Sequence, residues 1–490
     1  MRSKIVLYII IVSIAFSSCE EALIEKPRDF LSPNNLPQTE EDCEMILNGA
    51  LHIQGSADLY DRRLILCAGY PGTDYNWRGI GSDDSWGQLD RANVLSTNSD
   101  MIGTWARLYD IINETNVMIR KIPETSLNEN VKEKFVASAR FLRALYYFHL
   151  VRLWGPNAMY LDAPIEDFVA AGLMENAGNV EVFYDLIKSD IEYAVGKNPS
   201  GENRLPTEEW PEAGRPTYGA AKALQSKIYL TMAGYPINKP EYWEMARDAA
   251  LEVIDLGRYS LWPDIETLFL QENEASAEFV YSIQHDLNIN PSMLAAQTRP
   301  DEGWHFFYAD TTWIRRYFEE KDIRRENYMI YELQLKYYKL HYTQFWGEQQ
   351  PYIGKWKDIA REKFPDYNKR TGSNFPVFRI SEVYLMIAEA ENEVNGPTAL
   401  AYEYLNATRI RAGLDPLSRL SKDDFREEMK NERMRELCFE LKNRYDIHRW
   451  GDLEKEMLWD KHARDNFNMS EDEYLPIPNR DALLNPNLSD

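Results

Sequence analysis

Apolar residues recur along this chain at helical intervals, stripe after stripe, and this regularity limits the fold more than any other feature. Phe135, Ala139, Leu142, Tyr146, His149 and Leu153 mark one face of a helix, and Gly155-Pro156 ends it. Trp105, Leu108, Tyr109 and Ile112 repeat at i, i+3, i+4 and i+7. Thr39-Glu40-Glu41-Asp42 reads as a capped start that leads into Cys43, Ile46, Leu47, Ala50 and Leu51. Further helices are predicted over 182–195, 218–233 and 242–256. Another stripe runs through Ile380, Val383, Tyr384, Ile387 and Ala388, and Asn395-Gly396-Pro397 stops it. Ser421 and Asp424 cap a last helix expected to carry Phe425, Met429, Leu437 and Leu441 inward.

Short Gly/Pro breaks join these helices into antiparallel-sized pairs. A pair cannot bury its apolar face alone, so neighbours must stack. The expectation is an all-α, tetratricopeptide-like helical-repeat scaffold with long irregular loops and few short strands. The tetratricopeptide consensus is not literally present, so the repeats rest on pairing alone. Trp105, Trp154 and Trp450 fall on helical stripes or their ends and are assigned to the core.

Two segments break the helical pattern. Residues 69–98 read GYPGTDYNWRGIGSDDSWGQLDRANVLSTN, rich in Gly, Asp and Ser with no sustained period. Residues 272–312 are similarly irregular, with short strands expected around 279–283. Loops this long in a compact protein are usually functional or disordered. Tyr75, Asn76, Trp77, Arg78, Asp83 and Trp86 lie in the first; Trp304, Tyr308 and Trp313 lie in or beside the second. A sugar has one apolar ring face and a rim of hydroxyls, which an aromatic plate and short polar side chains can match. These nine residues are therefore the candidate ligand contacts, against the alternative that the aromatics close the core beneath the loops.

Catalytic and cofactor motifs are missing. Gly347, Gly354 and Lys355 lack the spacing and hydroxyl of a phosphate-cradling loop. In DYNWRG, Arg78 stands where a calcium loop needs an oxygen ligand. No two histidines are spaced as metal ligands on one helix, and no nucleophile elbow occurs. The reading is a non-enzymatic protein with no cofactor and no metal. The formal charge of −24 opposes nucleic acid and anionic surfaces. With Cys19 lipidated, the remaining Cys43, Cys67 and Cys438 allow at most one disulfide and match no metal spacing.

The N-terminus carries an address. Arg2 and Lys4 precede an apolar stretch from Ile5 to Phe16, small residues follow, and Cys19 comes next. This is the layout of a secretory signal, too short for a membrane-spanning helix. The cysteine resembles the acceptor of a bacterial lipoprotein, which implies a signal peptide over 1–18 and lipid on Cys19. Glu20 and Glu21 resemble the acidic tag that directs Bacteroidetes-type lipoproteins to the extracellular face of the outer membrane.

The C-terminal part reads NERMRELCFELKNRYDIHRWGDL, which resembles the signature of the SusD-like/RagB family of outer-membrane nutrient-binding lipoproteins. Other blocks in family order are SARFLRALYYFHLVRLWGP, AAKALQSKIYLTMAG, YFEEKDIRR, FPVFRISEVYLMIAEAENEVNG, NATRIRAGL and YLPIPNRDALLNPNL. Leu441 replaces a commonly small Gly, and Asn443 takes a position that is often Arg. Glu432, Arg433, Glu436, Glu440 and Arg444 are expected to form an ion-pair ladder along one helix and to hold the fold. The resemblance implies a surface lipoprotein that binds a glycan or oligosaccharide and passes it to a SusC-like TonB-dependent transporter. Its alternatives are an oligopeptide binder of the RagB kind and a surface glycan-degrading enzyme. The chain is expected to divide into an N-terminal helical region, 19–270, and a C-terminal SusD/RagB-type region, 271–490.

Overall fold

The computed structural model describes residues 37–69, 74–77, 83–165, 174–209, 213–298, 304, 306–334, 339–344, 350–356, 370–460 and 462–488. The proposed signal and Cys19 lie outside them.

Helices dominate, and several start where the sequence supplies a cap. In α1 (Glu40–Gln54), Thr39 and Asp42 cap each other's backbone reciprocally. Next come α2 (Arg63–Gly69), β1 (Tyr75–Trp77) and the short α3 (Ser85–Asp90). The long pair α4 (Ser99–Lys121) and α5 (Glu129–Trp154) follows. Gly155 ends α5 at φ 54°, a left-handed conformation that suits glycine. The series continues with α6 (Glu181–Ala194), α7 (Tyr218–Ala233) and α8 (Tyr242–Asp255).

Irregular chain and short elements come next: β2 (Phe279–Ile283), α9 (Leu294–Thr298), β3 (Phe307–Ala309), α10 (Thr311–Tyr317) and α11 (Arg324–Tyr328). Then β4 (Met329–Ile330), β5 (Glu332–Gln334), β6 (Lys339–His341), β7 (Tyr352–Ile353) and β8 (Phe375–Arg379) lead back to helices. These are α12 (Ile380–Asn395), α13 (Ala399–Arg411), α14 (Lys422–Glu436), α15 (Asn443–Arg449) and α16 (Leu453–Met457).

Neighbour stacks on neighbour: α4 on α5, α5 on α6, α6 on α7, α7 on α8, α8 on α12, and α12 on α13 and α14. This is the tetratricopeptide-like array that the stripes predict. Its core runs through α5, where Phe135, Leu142 and Tyr146 are fully buried. Trp105 and Trp154 meet edge to face at 5.2 Å, as core tryptophans do. Trp450 is only partly buried and donates its indole N–H to Glu389 at 2.8 Å.

One expectation fails. α14 ends at Glu436, before Leu437, and the next turn holds Phe439 at φ 64° and Leu441 at φ 60°. Leu441 occupies a left-handed backbone position, which explains why a small Gly suits it better. The signature charges therefore do not form a ladder along one helix. They reach across the fold into two buried networks. In the first, Glu436 accepts from Arg324 at 3.1 Å, Arg379 at 3.0 Å and Arg411 at 2.5 Å. Lys355 donates to Glu440 at 2.6 Å. In the second, Asp446 accepts from Lys227 at 2.6 Å and from Arg433 at 2.7 Å. Arg444 instead reaches the Glu473 carbonyl.

Candidate functional site

The two irregular segments meet in a small antiparallel sheet of order β1-β3-β7-β4. Tyr75 pairs with Ala309, Asn76 with Tyr308 and Trp77 with Phe307. This register sorts the candidate residues into those that build the platform and those that face outward.

Four candidates are buried, which corrects their reading as ligand contacts. Tyr75 is 4% exposed, and its hydroxyl donates to the Ile65 carbonyl at 2.6 Å. Burial pushes its phenol well above the ordinary range, so it stays neutral. The Asn76 amide donates to Asp310 at 2.5 Å and to Gln350 at 2.9 Å, stitching β1 to the strands beside it. Tyr308 packs on Tyr352 at 5.2 Å in a satellite cluster under β4. Trp313 packs on Phe439 and Phe318. Strand pairing takes Tyr75, Asn76 and Tyr308 out of solvent, and packing of α10 on Phe439 does the same for Trp313; both are non-local events invisible in the loop sequence.

Three aromatics stay partly exposed together. Trp86 stands edge-on to Phe306 at 5.0 Å, and Trp304 stacks on Phe306 at 5.9 Å with 25° between ring planes. Trp86 also contacts Phe307 at 5.7 Å. Two short elements position them. Asp84 caps α3 by accepting from the Gly87 N–H at 2.8 Å, which sets Trp86 in the first turn. The Trp304 N–H donates to the Ala296 carbonyl at 2.5 Å and that of Phe306 to the Gln297 carbonyl at 2.7 Å, holding this stretch against α9. Beside Trp86, the Asp83 side chain is 93% exposed and pairs with Arg91 at 2.7 Å. Phe306 belongs to the same aromatic stretch, EGWHFFYADTTW, although it is not among the nine candidates; its place between Trp304 and the buried Phe307 is the signal for it.

Trp77 lies in β1, but its side chain, like all of Arg78, falls outside what is described. Among the described residues, no group of three or more His, Cys, Asp or Glu is placed to hold a metal ion, and no helix is long and apolar enough to cross a membrane. Cys43, Cys67 and Cys438 are free and buried. Burial raises the Cys67 thiol to about 12, which leaves it unreactive.

The stacked helices and the aromatic cluster at their loops define a tetratricopeptide-like scaffold that carries aromatic side chains on its irregular segments. The chain belongs to the SusD-like family. Residues 266–489 match the SusD family model, and residues 29–230 match the model described as starch-binding associating with outer membrane. SusD-like protein P25 of Formosa agariphila is 26% identical, over 99% of this chain and 97% of that protein. A crystal structure of a SusD homolog from Bacteroides thetaiotaomicron superposes with a TM-score of 0.81 at 22% identity, covering 93% of this chain and 97% of that one. Surface glycan-binding protein A from the same species superposes with a TM-score of 0.74 at 19% identity, covering 90% of this chain and 96% of that one.

Proposed function

We propose that this protein is an outer-membrane lipoprotein, anchored by lipid on Cys19 at the extracellular face, that captures a glycan or oligosaccharide. It hands the ligand to a SusC-like TonB-dependent transporter and performs no chemistry on it. The observation that carries the reading is the partly exposed cluster of Trp86, Trp304 and Phe306 on the irregular segments of a SusD-like scaffold. Family membership supports it, and so does the fold shared with surface glycan-binding protein A. Aromatic plates with exposed faces stack on sugar rings, and weak plates in a row act together along a polymer.

A lipid chain holds a protein near the bilayer but moves nothing across it. A ligand too large for passive entry therefore needs a transporter. The test has two arms. Purified protein is screened against arrays of neutral glycans and of peptides, and a native-detergent extract is probed for a barrel-sized partner. Glycan binding with a co-extracted transporter is expected. Binding to peptides alone would move the oligopeptide reading to the front, and shortening of a bound glycan would do the same for the enzyme reading.

A further inference from the structure

A second exposed aromatic surface stands on elements joined to those of the proposed site. Trp459, just beyond α16, is 56% exposed, and its neighbour Leu458 is 68% exposed. Trp459 forms one wall of a depression of about 320 Å³ also lined by Thr312, Trp313, Arg316, Glu456 and Asp460. The Arg316 guanidinium lies 5.0 Å from the Trp459 ring. It is fixed there by Glu456, which accepts from its two terminal nitrogens at 2.5 and 2.7 Å. Glu456 also accepts from the Tyr317 hydroxyl at 3.1 Å. The indole N–H of Trp313, a residue only 6% exposed, is buried with no hydrogen-bond partner among the described residues.

Both walls are tied to the elements that carry the first cluster. Trp313 sits on α10, which Asp310 caps directly after β3. On the other side, the chain following Trp459 returns to α3: His462 Nδ1 and Asp90 Oδ2 stand 2.7 Å apart, and the Asn466 amide donates to the Arg91 carbonyl at 3.0 Å. The helix that presents Trp86 is thus clamped at its far end by the segment that presents Trp459.

We infer that the Trp459 depression is a second carbohydrate contact, continuous with the Trp86 cluster, that engages chains long enough to reach both. The plate offers an apolar ring face. Arg316, Thr312 and Asp460 offer the polar rim that hydroxyls need. An anionic ligand is disfavoured, because Glu456 already neutralises Arg316 and Asp460 adds negative charge, so the class is a neutral glycan. The inference rests on the glycan reading above.

The test uses the full-length protein, Trp459→Ala, Trp459→Phe and Trp86→Ala, titrated with short and long members of starch-, xylan- and galactan-derived oligosaccharide series. Trp459→Ala should weaken binding of the long member by on the order of five- to ten-fold and leave a trisaccharide unchanged. Trp459→Phe should keep most of the long-chain affinity, because the plate survives. Melting temperatures should match the wild type, since Trp459 is exposed. Unchanged long-chain affinity in Trp459→Ala, while Trp86→Ala loses it, overturns this inference and leaves the glycan reading standing. Equal losses at all lengths overturn it too. Intact glycan binding with loss of a co-extracted membrane protein would reassign the plate to a protein interface. If no glycan binds the wild type, both readings fall.

Discussion

Glu436→Gln removes one charge from the centre of the first buried network and changes almost nothing in size. Arg324, Arg379, Arg411, Arg435 and Lys355 face Asp322, Glu278, Glu432, Glu436 and Glu440 there, with Arg409 reaching in from the edge at 3.9 Å from Glu432. Burial alone would favour a protonated Glu436, but Arg411, Arg379 and Arg324 hold its carboxyl far below the usual range. Glutamine leaves these guanidiniums one negative charge short, and its amide points donors at donors. Breaking a buried pair from one side costs about 3–5 kcal/mol. An unfolding entropy of roughly 2 cal/mol/K per residue amounts to about 1 kcal/mol/K for a chain of this length, so the melting temperature should fall by about 3–5 °C. Urea unfolding followed by tryptophan fluorescence measures the same loss as a lower midpoint with an unchanged slope. The double variant Glu436→Gln/Arg411→Met restores the charge balance and should recover part of the loss. A single-variant loss under about 1 kcal/mol, or a double variant no better than the single, would refute the claim that charge pairing here holds the fold.

Two further outcomes follow from other parts of the chain. Cys19→Ala should release the protein from the outer membrane into a soluble fraction; protein that stays membrane-bound and still carries lipid would contradict the anchor. Acid should destabilise in two stages. Burial, with Arg152 and Lys442 nearby, holds the His149 imidazole well below its ordinary value, and burial, against a hydrogen bond to Asn290, brings His285 to about 4. The unfolded chain takes these protons near pH 6.5 and the folded chain only lower, so stability is full above pH 6.5 and falls as pH drops toward 4. Asp61, which burial raises to about 6, opposes this by one proton between pH 6 and 4. Glu382, where Lys442, Lys227 and Arg433 overcome burial and hold the carboxyl at about 2, adds a second loss from about pH 4.5 down to 2. Urea midpoints at pH 7.5, 5 and 3 should decline in that order, and a midpoint level from 7.5 to 5 would refute the first stage.

The helical frame was legible because its signal is local. A stripe such as Phe135 to Leu153 repeats within one segment, and Thr39 or Asn395-Gly396-Pro397 punctuates it. β2 was legible for the same reason. The platform was not. Asn76 reads as a polar loop residue until Tyr308 pairs with it across more than two hundred intervening residues. Only that register sends Tyr75 and Asn76 inward and leaves Trp86 and Trp304 at the surface. The signature charges were legible as structural, but not in their geometry. A turn with two left-handed non-glycine residues, Phe439 and Leu441, follows α14 and redirects Glu440 toward Arg379 and Lys355. Trp459 gave no signal, because a lone tryptophan after a short polar helix looks like any chain end.

The central claim is that Trp86 and Trp304 face ligand, and affinity and melting temperature measured together on Trp86→Ala and Trp304→Ala test it most directly. Stacking one sugar ring on one plate contributes ~1–2 kcal/mol, so each variant should bind its glycan about ten-fold more weakly. The melting temperature should fall by no more than about 1–2 °C, because both side chains keep part of their surface exposed, although Trp86 also packs on the core. Undiminished glycan affinity with a melting temperature lowered by several degrees would make these tryptophans part of the core and contradict the account.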